Sequence, residues 1–297
     1  MANDARGQEA VAEVGGEQGV PQLDAGLGRD DVAITFVGHA TFLIQTPTAN
    51  ILTDPMWSGR ASPVQWLGHV RVRVPGIAFD DLPRIDLILM SHNHYDHLDK
   101  DTLLKIRRKF SPKVIVPTGD KALVESIGFT DVRELDWWDD VQIDPLLKIT
   151  FAPTQHSSAR GLFDRDKSLW GSYMIQSGDS RIYFGGDAGY SKHYKDIGIR
   201  LGAPDVSLLG IGAYEPQWFM KPMHMNPMEA VKAHQDMDSK LSIAMHFGTF
   251  HMSAEAFDQP KADLKTALSA AGVGESHFIA LEEGETFVHS PGKSGPD

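Results

Sequence analysis

Residues 91–99 run Ser91-His92-Asn93-His94-Tyr95-Asp96-His97-Leu98-Asp99. Three imidazoles and a carboxylate, those of His92, His94, Asp96 and His97, fall within six positions of one another. Nitrogen and oxygen donors at this density suit a divalent cation, because His and Asp are standard ligands for zinc and its neighbours. The preceding run, Ile85-Asp86-Leu87-Ile88-Leu89-Met90, is mostly apolar and reads as a buried strand. The cluster therefore leaves the C-terminal end of a strand, where open α/β sheets hold their ligands.

Outward from that segment, short apolar runs alternate with turn residues. Upstream, residues 32–37, 41–46 and 50–53 are β-prone and are separated by Gly38-His39-Ala40 and Pro47-Thr48-Ala49, which predicts a meander. Downstream, residues 100–110 read as a helix. Asp99 or Asp101 can cap its N-terminus, and Lys105, Arg107, Arg108 and Lys109 lie toward its C-terminus. A strand at 113–117 and a helix at 120–127, ended by Gly128, follow. The second half repeats this style, with strands at 148–152, 171–177, 180–185, 206–211 and 241–246. Helices are expected at 226–238, opened by Asn226-Pro227, and at 253–271, ended by Gly272. Strands at 277–280 and 284–288 close the chain. Meander, helices, meander, helices predicts an α/β fold: two sheets face to face with helices outside, a four-layer αββα sandwich. Residues 1–30, rich in Gly, Ala, Glu, Asp and Gln, read as a flexible leader. Residues 31–290 are expected to form the domain and 291–297 a tail.

The chain has 297 residues, an ordinary length for one α/β domain. Its formal charge is −12, from 28 Lys and Arg against 40 Asp and Glu. Nucleic-acid affinity comes largely from neutralising phosphates, so no nucleic-acid partner is expected. Cysteine is absent, which removes thiolate ligands, cysteine nucleophiles and disulfides. No stretch reaches the ~20 apolar residues of a membrane span, and the N-terminus lacks the apolar core of a secretory signal. A cytoplasmic protein is expected. Peripheral membrane contact stays open, and the oligomeric state is not determined by the sequence.

A two-metal site needs more donors than one loop supplies. Three later segments end apolar, β-prone runs on a donor: Phe151-Ala152-Pro153-Thr154-Gln155-His156, Ile182-Tyr183-Phe184-Gly185-Gly186-Asp187 and Leu241-Ser242-Ile243-Ala244-Met245-His246. Each donor would emerge at a sheet edge. Gly185, Gly186, Gly189 and Gly248 would let the backbone run close to a metal. His69, His193, His234, His277 and His289 lack this context and read as surface or packing residues.

The donor pattern, His-x-His-x-Asp-His followed by a His, an Asp and a last His, resembles the metallo-β-lactamase superfamily over about residues 31–290. Within it, the chain is most similar to the group of phospholipases D that hydrolyse N-acylphosphatidylethanolamine. That narrower resemblance rests on Phe36-Val37-Gly38-His39-Ala40-Thr41, Ile51-Leu52-Thr53-Asp54-Pro55, Ser58-Gly59-Arg60-Ala61-Ser62-Pro63, the 91–99 segment, Gly212–Met220 and His246-Phe247-Gly248-Thr249-Phe250. It implies that His92, His94 and His156 bind a first metal. Asp96, His97 and His246 would bind a second, and Asp187 would bridge. It further implies that Asp54 orients a ligand imidazole and that His224 lies near the substrate.

The resemblance implies a hydrolase with two zinc ions, iron or manganese being compatible with the same donors. A hydroxide held between the metals would attack a phosphodiester of a small molecule or lipid. Asp96 would orient it, and His224 or a metal-bound water would protonate the leaving group. Tyr214, Trp218, Phe219, Met220, Met223 and Met225 form an aromatic and thioether-rich run suited to an acyl chain. A lactonase of the same superfamily would use the same donors on a carbonyl carbon. A metal-stabilised binding protein would have lost ligands, and here every candidate is present.

Overall fold

The computed structural model describes residues 26–291; most of the expected leader and the tail from residue 292 lie outside the described residues. A first meander comprises β1 (Val32–Gly38), β2 (Thr41–Gln45) and β3 (Asn50–Thr53), each antiparallel to the next. A small ribbon of β4 (Arg60–Ala61) and β5 (His69–Val70) stands outside it. The sheet then continues in parallel through β6 (Leu87–Leu89), β7 (Lys113–Pro117) and β8 (Val132–Leu135).

The second sheet opens antiparallel with β9 (Asp140–Gln142), β10 (Leu147–Ala152), β11 (Ser172–Ser177) and β12 (Ser180–Phe184). It ends in parallel with β13 (Val206–Gly210), β14 (Leu241–Met245) and β15 (Phe278–Ile279). The last strand, β16 (Thr286–His289), returns to pair with β1 and completes the first sheet in the order β16-β1-β2-β3-β6-β7-β8.

Strand alternation builds the layers. Leu87 and Leu89 of β6 join the core between the sheets, with Phe36, Phe42, Ile149, Phe151 and Tyr173. Ile88 and the following Met90 point the other way, onto Leu103 and Ile106 of α1 (Lys100–Lys109) and Val124 of α2 (Lys121–Ile127). Burying each such side chain contributes about 1.5–3 kcal/mol, more than the ~1 kcal/mol of a helix cap. Burial therefore sets the layer and the cap sets where the helix begins. Asp99 does cap α1, accepting from the Asp101 amide at 3.2 Å.

Helices α3 (His193–Leu201), α4 (Gln217–Met220), α5 (Pro227–Asp236) and α6 (Gln259–Ala271) belong to the second half. Tyr194, Ile197, Ala230, Val231, Leu264 and Leu268 join the same core as the second sheet, completing the αββα order. The helix expected from 253 begins only at Gln259. Glu255 is engaged elsewhere, its carboxylate taking the amides of Ala213 at 2.6 Å and Glu215 at 3.0 Å. Pro260, which has no N–H to donate, suits a first helical turn. Helix α3 was not expected from the sequence. Within the segment expected as leader, Asp30 accepts from the Asp179 amide at 3.1 Å and its carbonyl from Ser180 Oγ at 2.6 Å. No helix among the described residues is long and apolar enough to cross a membrane.

Strand direction positions the site. Because β10, β12 and β14 run the same way, their C-terminal ends share one edge of the second sheet. On the first sheet, β3 and β6 end at one edge, and the β1–β2 turn lies at that edge too, because β2 runs opposite to β3.

Candidate metal centre

The loop after β6 is pinned before it reaches its donors. Tyr173 Oη donates to the Met90 carbonyl at 2.8 Å, and the Gly171 amide to the Ser91 carbonyl at 3.0 Å. Gly186 faces Ser91 so closely that a Cβ would lie 2.7 Å from Ser91 Cβ, and its φ of +55° would strain any other residue. The Gly189 amide donates to the Gln155 carbonyl at 2.8 Å and ties the segments carrying Asp187 and His156.

Three imidazoles converge first. His92 Nε2 lies 2.8 Å from His94 Nδ1, which lies 3.2 Å from His156 Nε2. Their outer nitrogens are held, His92 Nδ1 by Ser91 Oγ at 2.9 Å and His156 Nδ1 by the Met223 carbonyl at 2.9 Å. A second group faces them. Asp96 Oδ2 lies 3.3 Å from His97 Nε2 and 3.4 Å from His246 Nε2. Asp187 Oδ2 lies between the groups: 3.1 Å from His97 Nε2, 3.2 Å from His246 Nε2, 3.7 Å from His156 Nε2 and 4.0 Å from His92 Nε2. All seven donors expected from the sequence thus meet in one place. His224 joins at the rim, its Nδ1 3.8 Å from Asp187 Oδ2.

The donor chemistry fits divalent cations. His92, His94 and His156 form one group able to hold a metal, and His39, Asp96, His97 and His246 another. Among the described atoms, His97 Nε2, His246 Nε2 and Asp187 Oδ1 are buried without a hydrogen-bond partner. Each such group costs about 1–3 kcal/mol unless something satisfies it. Nitrogen and carboxylate oxygen without thiolate suit zinc, and also iron or manganese.

Charge in the cluster is polarised. Burial would raise the carboxyl pKa of Asp187, but the charges of His246 and His97 hold it well below the usual range. Asp96 behaves alike: burial is outweighed by the His97 charge and by hydrogen bonds, one of them from His39. The carboxylates in turn overcome burial at His97, raised well above an ordinary histidine, and at His246, raised to about 9. Burial wins at His92 and His156, held well below the ordinary value, and at His224, lowered to about 4. The ionised carboxylates draw positive charge onto the lone pairs that a cation would use.

Three supports lie outside the sequence-derived donor set. Asp54, at the end of β3, accepts from His97 Nδ1 at 2.7 Å, as the resemblance implied for it. Arg160 donates from Nη1 to the Asn93 and Leu98 carbonyls, each at 2.8 Å, and lies over the Tyr95 ring at 4.0 Å. His39 Nε2 lies 2.9 Å from Asp96 Oδ2. No local pattern marks Arg160. His39 stands in a segment that carried the resemblance but has no donor spacing of its own.

The expected acyl-binding run divides. Tyr214 and Met225 are buried, whereas Trp218 and Phe219 on α4 are 83% and 64% exposed. Of the five histidines read as surface or packing residues, His193 and His234 are buried and His69 is exposed.

A family model described as the beta-lactamase superfamily domain matches residues 49–247. The chain is 36% identical over 269 residues to N-acyl-phosphatidylethanolamine-hydrolyzing phospholipase D 1 of Caenorhabditis elegans, covering 86% of this chain and 75% of that protein. It is 38% identical over 221 residues to the mitochondrial N-acyl-phosphatidylethanolamine-hydrolyzing phospholipase D of Saccharomyces cerevisiae, covering 72% of this chain and 47% of that one. The chain thus spans between 47% and 75% of the length of these two relatives. A solved metallo hydrolase from Ignicoccus hospitalis shares the fold, with a TM-score of 0.67 over 88% of this chain and 99% of that one at 24% identity.

Proposed function

Because this chain belongs to the beta-lactamase superfamily domain family, we propose that it is a metal-dependent hydrolase cleaving lipid phosphodiesters of the N-acylphosphatidylethanolamine class. The observation that carries this reading is the position of Asp187 Oδ2, within 4.0 Å of imidazole nitrogens from both donor groups. On this reading His92, His94 and His156 would hold one zinc ion, Asp96, His97 and His246 would hold another, and Asp187 would serve both. Iron or manganese would be accommodated by the same donors. Cations bound there would supply Lewis acidity toward a phosphoryl oxygen and make water acidic enough to ionise near neutral pH.

The protein's own groups supply orientation and proton handling. Asp96 keeps a carboxylate oxygen facing the donor cluster and accepts a hydrogen bond from the attacking water. His224, kept neutral by burial, presents its ring N–H to the substrate from the rim and steadies the leaving oxygen. Trp218 and Phe219, exposed on α4 six and five residues before His224 in the chain, offer an acyl chain apolar contact and suit peripheral contact with a lipid surface.

The test is turnover by zinc-loaded protein of bis-p-nitrophenyl phosphate, an N-acylphosphatidylethanolamine and an N-acyl homoserine lactone. Hydrolysis of the two phosphodiesters is expected. Lactone turnover without phosphodiester turnover would replace this reading with that of a lactonase.

A further inference from the structure

We propose that His39 is a positioning residue that locks the Asp96 carboxylate and the His246 backbone into one unit, and so sets the affinity of the second cation site. The inference rests on the two-cation reading above and extends it to a residue outside the seven donors assigned there.

His39 occupies the turn between β1 and β2 and is only 3% exposed. Its Nε2 lies 2.9 Å from Asp96 Oδ2. A carboxylate that serves a cation can only accept, so in the cation-bearing protein Nε2 would carry the proton and donate. This is the shortest contact to Asp96 Oδ2 from an imidazole; His97 and His246 stand at 3.3 and 3.4 Å. Accepting one hydrogen bond leaves the carboxylate further lone pairs for a cation.

The backbone of the same residue reaches the second donor. The His246 amide donates to the His39 carbonyl at 2.9 Å, and the His39 amide donates to Thr249 Oγ1 at 2.7 Å. The rings of His39 and His246 lie 4.0 Å apart, and Phe250 meets His39 edge-on at 5.2 Å. The imidazole is thus wedged in place. Its φ of +58° is in the left-handed region, which a non-glycine residue occupies at a cost and keeps only where its surroundings over-determine it. Such strain is expected where side chain and main chain must serve two different donors at once.

Two variants separate reach from backbone fit. In His39→Gln the amide nitrogen lies at about the reach of Nε2, but glutamine is poorly suited to the left-handed region. In His39→Asn the backbone conformation is well tolerated, but the side chain falls short of Asp96. Zinc stoichiometry by elemental analysis, zinc dissociation constants by chelator competition and melting of the zinc-free protein are the readouts. We expect His39→Gln to stay within about threefold of the parent at both sites, and His39→Asn to weaken one site about 10–100-fold while sparing the other. Zinc-free His39→Asn should melt close to the parent, and zinc-free His39→Gln modestly lower because of its backbone conformation. Unchanged zinc affinity in His39→Asn overturns the proposal. So does outright loss of one zinc in His39→Gln, which would make His39 a ligand. A zinc-free His39→Asn that melts far below the parent also overturns it, by assigning His39 to folding. Failure of the underlying reading looks different: the unmodified protein itself would bind fewer than two zinc ions.

Discussion

Asp54 Oδ2 accepts a hydrogen bond from His97 Nδ1 at 2.7 Å, and neither side chain reaches solvent. The same carboxylate takes the Ser91 amide at 2.7 Å and Ser91 Oγ at 2.5 Å. One side chain at the end of β3 therefore holds the entry of the donor loop and turns His97 Nε2 toward the cluster. Asp54→Asn keeps the volume but replaces an acceptor oxygen with a donor, so it cannot serve both Ser91 and His97. Zinc affinity should fall about 10–100-fold, read by chelator competition. Unaltered affinity would remove Asp54 from the positioning network.

Asp187 is the group nearest to both sets of imidazoles. Asp187→Ala should lower the occupancy of both zinc sites together and activity with them, measured by elemental analysis beside a phosphodiester assay. A variant that keeps both zinc ions and parental activity would rule out a bridging role.

His224 stands at the rim, with its Nδ1 farther from Asp187 than the nitrogens of His97 and His246. His224→Ala should cut kcat about 10²-fold or more, the usual effect of losing a hydrogen-bond donor to a developing oxyanion. Zinc content should stay intact. Zinc loss in this variant would make His224 a ligand.

Arg160 bridges the two ends of the donor loop through the Asn93 and Leu98 carbonyls. Losing two charge-assisted hydrogen bonds and leaving their acceptors unpaired should cost about 3 kcal/mol. Arg160→Ala is therefore expected to melt at lower temperature, and Arg160→Lys not to restore it, since lysine is shorter and has no planar guanidinium to lay over the Tyr95 ring while Nη1 reaches both carbonyls. Equal melting temperatures for Arg160→Lys and the parent would contradict this.

His193 provides a pH signature away from the donor cluster. Burial lowers its pKa to about 3, and among the described residues its Nε2 has no hydrogen-bond partner. The unfolded chain titrates near 6.5 and binds the proton more readily than the folded protein. Its contribution is therefore full above pH 6.5 and is lost as pH falls toward 3. Between pH 6.5 and 5 the loss should approach about 2 kcal/mol. Denaturant titrations across this range should show a shallower pH slope for His193→Gln. A slope equal to the parent's would mean that His193 does not drive it.

Much of this architecture was legible from local pattern. The runs that became β1, β2, β3, β7 and β10 to β14 were apolar, β-rich and bounded by turn residues, so period and punctuation agreed. The donor loop was legible because its donors are neighbours in the chain. His156, Asp187 and His246 could be read because each follows a strand, and strand ends in such sheets collect at one edge.

Helix α3 escaped because Gly198 and two isoleucines weaken its helical signal. The glycine has a tertiary use: a Cβ there would lie 3.1 Å from Met237 Cα, so its absence lets α3 approach the end of α5. Helix α6 was read six residues too long because Ser253 to Asp258 look helix-compatible until Glu255 is drawn to the amides of Ala213 and Glu215.

Order along the chain was enough for the layer pattern and for the kind of donors, because burial periodicity and ligand chemistry are both written in neighbouring residues. The pairing of His39 with Asp96, of Asp54 with His97 and of Arg160 with the donor-loop carbonyls depended on the closed fold. Those partners are separated by dozens of residues, and a single polar side chain carries no local signal of which distant group it will meet. They come together only when two sheets stack and bring the ends of separate strands within hydrogen-bonding reach.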